Sequence, residues 1–115
     1  MSDWTKRGKA KARIVDARLE VEVDGLTTQG RYYKRLLRDL FRKDFRLRPG
    51  YGDWSVEITM IHSGPPPRID LDNLAKALLD CLTGFAFEDD SQVARLLVTR
   101  QAGDRDQVRL TAAPL

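Results

Sequence analysis

Pro67-Arg68-Ile69-Asp70-Leu71-Asp72-Asn73-Leu74-Ala75-Lys76-Ala77-Leu78-Leu79-Asp80 is the stretch from which the rest of this 115-residue chain can be read. At about 100° per residue, Lys76 falls about 40°, Asp80 about 80° and Asn73 about 100° round a helix from Asp72. Leu74, Ala77, Leu78, Cys81 and Leu82 take the opposite arc. This spacing predicts an amphipathic helix over residues 71–83, with Asp70 as N-cap and Gly84 at its C-terminal end. Immediately before it, Ser63-Gly64-Pro65-Pro66-Pro67 cannot continue a strand, because proline lacks the N–H that a ladder needs. Before that break, Trp54, Val56, Ile58 and Met60 alternate with Ser55, Glu57 and Thr59, the pattern of a strand.

Working outward, Val15, Ala17, Leu19, Val21 and Val23 alternate with Asp16, Arg18, Glu20, Glu22 and Asp24, as in a half-buried strand. A loop to Gly30 leads to a helix expected over 31–45. Its apolar side is Tyr32, Tyr33, Leu36, Leu37, Leu40 and Phe41, and its basic side Arg31, Lys34, Arg35, Arg38 and Arg42. Arg48-Pro49-Gly50-Tyr51-Gly52-Asp53 must turn. Residues 92–100 and 107–112 read as two further strands joined around Ala102-Gly103-Asp104. The expected order is β-α-β-α-β-β. The fold class is α/β in the wide sense, a two-layer α+β domain with a mixed sheet and helices packed on it. One small domain spans 13–115, preceded by a flexible basic arm over 1–12.

Apolar residues make up 42% of the chain and charged residues 32%, ordinary values for a globular domain. No apolar run approaches membrane-spanning length, and the basic start has no apolar stretch behind it, so no membrane contact and no secretory signal are expected. The single Cys81 excludes an internal disulfide and suits a reducing cytosol. With only His62 beside it, a structural zinc site is also excluded. Charge is uneven. Residues 1–48 hold 14 Lys/Arg against 7 Asp/Glu, a net +7, and residues 49–115 hold 6 against 10, a net −4. A basic half can hold phosphates while acidic groups in the other half hold a cation.

The acidic helix admits two readings. Carboxylates near a helix N-terminus are favoured by its dipole, and Asp72, Lys76 and Asp80 are i,i+4 neighbours, so capping and surface ion pairs would account for them. Against this stands a second acidic group, Glu88-Asp89-Asp90, after a short connection through Gly84. An Asp-x-Asp with a distant Asp is a common way to supply oxygen ligands to Mg²⁺.

Asp70-Leu71-Asp72-Asn73-Leu74-Ala75-Lys76-Ala77-Leu78-Leu79-Asp80, then Gly84, then Glu88-Asp89-Asp90-Ser91-Gln92-Val93, resembles the signature of the RusA-type Holliday-junction resolvases. The resemblance is specific over about residues 67–98. It implies a small homodimeric endodeoxyribonuclease that uses Mg²⁺, with Mn²⁺ as a substitute, to nick four-way DNA junctions symmetrically in recombination and repair. It makes Asp70, Asp72 and Asp90 the essential carboxylates and metal ligands, with Asp89 as alternative ligand, and Lys76 the essential lysine. Asn73 and Asp80 also match, and take supporting roles. A bacterial or phage origin and a cytoplasmic, nucleoid-associated location follow from the same resemblance. The chain lacks the Pro-Pro-Ser-x-Asn-like opening segment usual in the family.

For DNA contact, the basic face Arg31, Lys34, Arg35, Arg38 and Arg42 and the separate Arg68 are the expected residues, since phosphate contacts give affinity without reading sequence. Trp54, Tyr32 and Tyr33 are expected in the core, and His62 at a strand end. Three rival functions remain open from the sequence: a junction-binding protein without turnover, a metal-dependent nuclease acting on other branched DNA, and a small metal-dependent hydrolase acting on nucleotides.

Overall fold

The computed structural model describes residues 3–115. Six strands form one sheet: β1 (Thr5–Arg7), β2 (Ala10–Val15), β3 (Arg18–Asp24), β4 (Trp54–His62), β5 (Val93–Ala102) and β6 (Gln107–Pro114). Their order across the sheet is β1-β2-β3-β6-β4-β5. Every neighbouring pair is antiparallel except β4 and β5, which run parallel and are joined through the helix α2 (Leu71–Leu82). A parallel pair needs such a crossover, and the Pro65–Pro67 break supplies its start. The other helix, α1 (Gly30–Asp39), runs on into a π-helical segment, Leu40–Asp44. The mixed sheet and two helices make the expected α+β domain. No helix among the described residues is long and apolar enough to cross a membrane.

One face of the sheet is dry and one is wet. Val21, Val23, Val56, Ile58, Met60, Val108 and Leu110 are buried together with Tyr33, Leu37, Leu40 and Phe41 from the α1 region and Leu74, Leu78, Cys81 and Leu82 from α2. Burying each such side chain contributes about 1.5–3 kcal/mol. On the wet face, cross-strand partners carry opposite charge: Lys11 faces Glu22 and Arg13 faces Glu20, with ion pairs at 3.4 and 2.7 Å. The alternation of apolar and charged residues read from the sequence is the origin of this division.

Three expectations are corrected. Residues 5–12, expected in a flexible arm, are built into the sheet as β1 and the start of β2; Met1 and Ser2 lie outside the described residues. The strand expected from Val15 begins only at Arg18: Val15 ends β2, and Asp16 and Ala17 adopt left-handed backbone (φ 52° and 63°) and turn the chain between β2 and β3. The order is therefore β-β-β-α-β-α-β-β. Tyr32, expected in the core, is 41% exposed, while its neighbour Tyr33 is fully buried. Trp54 and Cys81 are buried as expected.

Candidate active site

α2 starts where the sequence places it. Asp70 occupies the N-cap position with extended backbone (φ −71°, ψ 145°), and its carbonyl accepts from the Leu74 N–H at 3.0 Å. Its carboxylate makes no capping hydrogen bond. Buried Ile69 pins the approach to the helix. Among the described residues, neither Asp72 nor Lys76 has an ion-pair partner. Asp80 pairs instead with Lys34 at 3.0 Å, tying α2 to α1. The polar side of α2 is therefore not occupied with capping or with pairs along its own length. Asn73 is exposed beside Asp72.

Between α2 and β5 lies an open cleft of about 370 Å³. Leu71, Asp72, Ala75, Lys76 and Leu79 line it from α2, Leu96 and Val98 from β5, and Asp90 from the turn before β5. Two carboxylates and an ammonium thus face a largely apolar wall. All three charged groups are exposed and reach solvent from this cleft. Sequence reasoning found the three charged groups but not the wall, because Leu96 and Val98 read as ordinary strand residues. Asp70 is exposed at the mouth of α2, outside the cleft lining. No cluster of three His, Cys, Asp or Glu suited to holding a metal exists among the described residues. In donor type the set still fits a hard divalent cation, which takes one or two carboxylates and keeps several waters.

The two aspartates before β5 have different tasks. Asp89 caps the short 3₁₀ turn Asp90–Gln92, its Oδ2 accepting from the Ser91 N–H at 3.0 Å. Hydrogen bonds from the Ser91 side chain and backbone hold the Asp89 carboxyl below the usual carboxylate range. Asp90 lines the cleft instead. Gln92, which the sequence reading did not single out, holds this turn in place. Its Oε1 accepts from the Glu88 and Asp89 N–H groups at 2.9 and 3.1 Å, and its Nε2 donates to the Gly50 and Gly52 carbonyls, each at 3.0 Å. The signal that could have found it is the capping-box spacing Asp89-Asp90-Ser91-Gln92.

On the basic side, Arg31, Arg35, Arg38 and Arg42 are exposed along α1 and the π-helical segment, whereas Lys34 is half-buried in its pair with Asp80. Arg68 is exposed just ahead of α2. His62 closes β4, its Nδ1 donating to the Gly64 carbonyl at 2.7 Å, a strand-end role. A family model described as endodeoxyribonuclease RusA matches residues 26–111, most of the chain and all of the cleft. No curated protein matches the chain.

Proposed function

The chain belongs to the endodeoxyribonuclease RusA family, and from that premise we propose that it resolves four-way DNA junctions by paired, symmetric nicks, as a Mg²⁺- or Mn²⁺-dependent homodimer. The observation that carries this reading is the cleft in which Asp72, Lys76 and Asp90 meet, from two separate segments of the chain. Asp72 and Asp90, which line the cleft, would hold the cation; Asp70, which the resemblance makes a third ligand, lies outside that lining and would have to approach when the ion binds. Once bound, such an ion supplies Lewis-acid chemistry, withdrawing charge from a phosphate and making a water more acidic. The Lys76 ammonium lines the cleft with no carboxylate partner among the described residues, and would stabilise charge building on the scissile phosphate or the leaving 3′ oxygen. The apolar wall of Leu71, Leu79, Leu96 and Val98 excludes bulk water from one side of that phosphate. Asp90 is favoured over Asp89 as ligand, because Asp89 is committed to its cap.

Arg31, Arg35, Arg38, Arg42 and Arg68 hold the backbone of the arms, giving affinity that falls steeply with salt. For the homodimer, β5 offers support: it is the edge strand of the sheet, ten residues long, and exposes Leu96 and Leu97. Two active sites in one assembly can cut both strands within one binding event. A supercoiled plasmid with an extruded cruciform tests this directly. Paired nicking converts it straight to linear product in Mg²⁺. Accumulation of nicked circles, with linear product appearing only later, would instead mark a nuclease that cuts branched DNA one strand at a time.

A further inference from the structure

A second cavity, of about 350 Å³, opens at the start of α1 and is lined by Gln29, Arg31, Tyr32 and Arg35. None of these residues lines the cleft between α2 and β5. The ring of Tyr32 is 41% exposed and braced edge-on against Tyr33, with centroids 5.9 Å apart and planes at 71°. Tyr33 is itself buried and fixed, its hydroxyl accepting from the Thr27 N–H at 3.2 Å. Arg31 and Arg35 stand one helical turn apart and have no ion-pair partner among the described residues, although Lys34 between them is spent on Asp80. The side chain of Gln29 makes no capping hydrogen bond. A rigidly held aromatic ring, two unpaired guanidiniums and an uncommitted amide therefore share one cavity.

Each group matches one part of a nucleotide. An aromatic ring stacks on the face of a base, guanidiniums hold phosphate, and an amide offers both a donor and an acceptor to a base edge. Inside an intact duplex both faces of a base are covered by its neighbours, so only an unstacked base, in a single strand or at an open branch point, can lie on Tyr32. We propose that this cavity binds an unstacked nucleotide, with Tyr32 stacking on the base and Arg31 and Arg35 holding its phosphate. The inference rests on the DNA-directed reading of the protein, and it makes Tyr32 the residue that distinguishes a branch point from plain duplex.

The test is equilibrium binding by the whole protein in EDTA, where no cutting occurs, using wild type, Tyr32→Leu and Tyr32→Phe. Probes are a labelled four-way junction, a blunt duplex of the same length and labelled oligothymidylate. Tyr32→Leu is expected to weaken binding to the junction and to oligothymidylate by at least roughly fivefold, with Tyr32→Phe near wild type and duplex affinity unchanged in both. Thymidine 5′-monophosphate separates two sources of the ligand. Competition in wild type that disappears in Tyr32→Leu assigns the cavity to a free nucleotide; Tyr32-dependent oligothymidylate binding without it assigns the cavity to a nucleotide within a strand. Equal affinities of all three proteins for oligothymidylate and for the mononucleotide overturn the proposal. Wild type that binds junction no better than duplex counts against the resolvase reading, and the oligothymidylate result still decides the cavity.

Discussion

At the scale of single residues, side chains a few positions apart do unlike things because their hydrogen bonds differ. Asp89 and Asp90 are adjacent residues of one type, yet one is held by Ser91 and the other lines a cleft. Asp89 shares its depressed carboxyl with Asp106, which accepts from the backbone and hydroxyl of Ser63 at 2.8 and 3.1 Å. A carboxyl whose folded pKa is depressed binds its proton more readily when unfolded. Its contribution to stability is present in full above the unfolded value of about 4 and is lost as pH falls through the lower folded value. The double variant Asp89→Asn/Asp106→Asn should therefore lose less stability than wild type on acidification from pH 5 to about pH 2, measured as the urea midpoint; equal losses would contradict this. Gly50 is a matter of space: a Cβ there would stand 2.5 Å from Cζ2 of the Trp54 indole. Gly50→Ala should cost about 1–3 kcal/mol by urea denaturation, since the buried indole cannot retreat without disturbing its neighbours.

At the scale of elements, what could be read in advance depended on whether local chemistry announced the boundary. α2 was legible almost to the residue, because three prolines stop the strand before it and an apolar stripe marks its buried face. The β2–β3 turn was not. Asp16 and Ala17 fit the alternation of the strands on either side, and although Asp suits the first place of a tight hairpin turn, alanine stands where glycine is favoured. Ala17 holds φ at 63°, which strains a residue with a Cβ. Ala17→Gly should accordingly stabilise the protein by about 1 kcal/mol in urea, and a loss of stability would show that the turn tolerates alanine without strain. The acidic turn before β5 is likewise an element with a hidden brace. Gln92 satisfies its whole side-chain amide on the backbones of two loops, a tertiary fact that no local pattern beyond the capping-box spacing betrays.

At the scale of the molecule, two layers divide the labour. On the wet face of the sheet Lys11 and Arg13 are neutralised by Glu22 and Glu20, while the helical side carries unpaired cations on α1 and the acidic cleft beside α2. The charge asymmetry between the two halves of the chain foreshadowed this separation, and the motif in α2 foreshadowed the cleft's charged groups. The apolar wall and the Tyr32 cavity were not legible, because each is assembled by packing: β5 laid beside α2, and Tyr33 taking the buried place that left Tyr32 outside. The central claim is that the cleft cuts junctions with a divalent cation. Cleavage of an end-labelled four-way junction by wild type and Asp72→Asn, in Mg²⁺ and in EDTA, tests it most directly. Paired symmetric nicks with 5′-phosphate and 3′-hydroxyl ends, made by wild type in Mg²⁺ and abolished by EDTA and by Asp72→Asn, are the predicted result. Tight junction binding by wild type with no nicking in either Mg²⁺ or Mn²⁺ would contradict it.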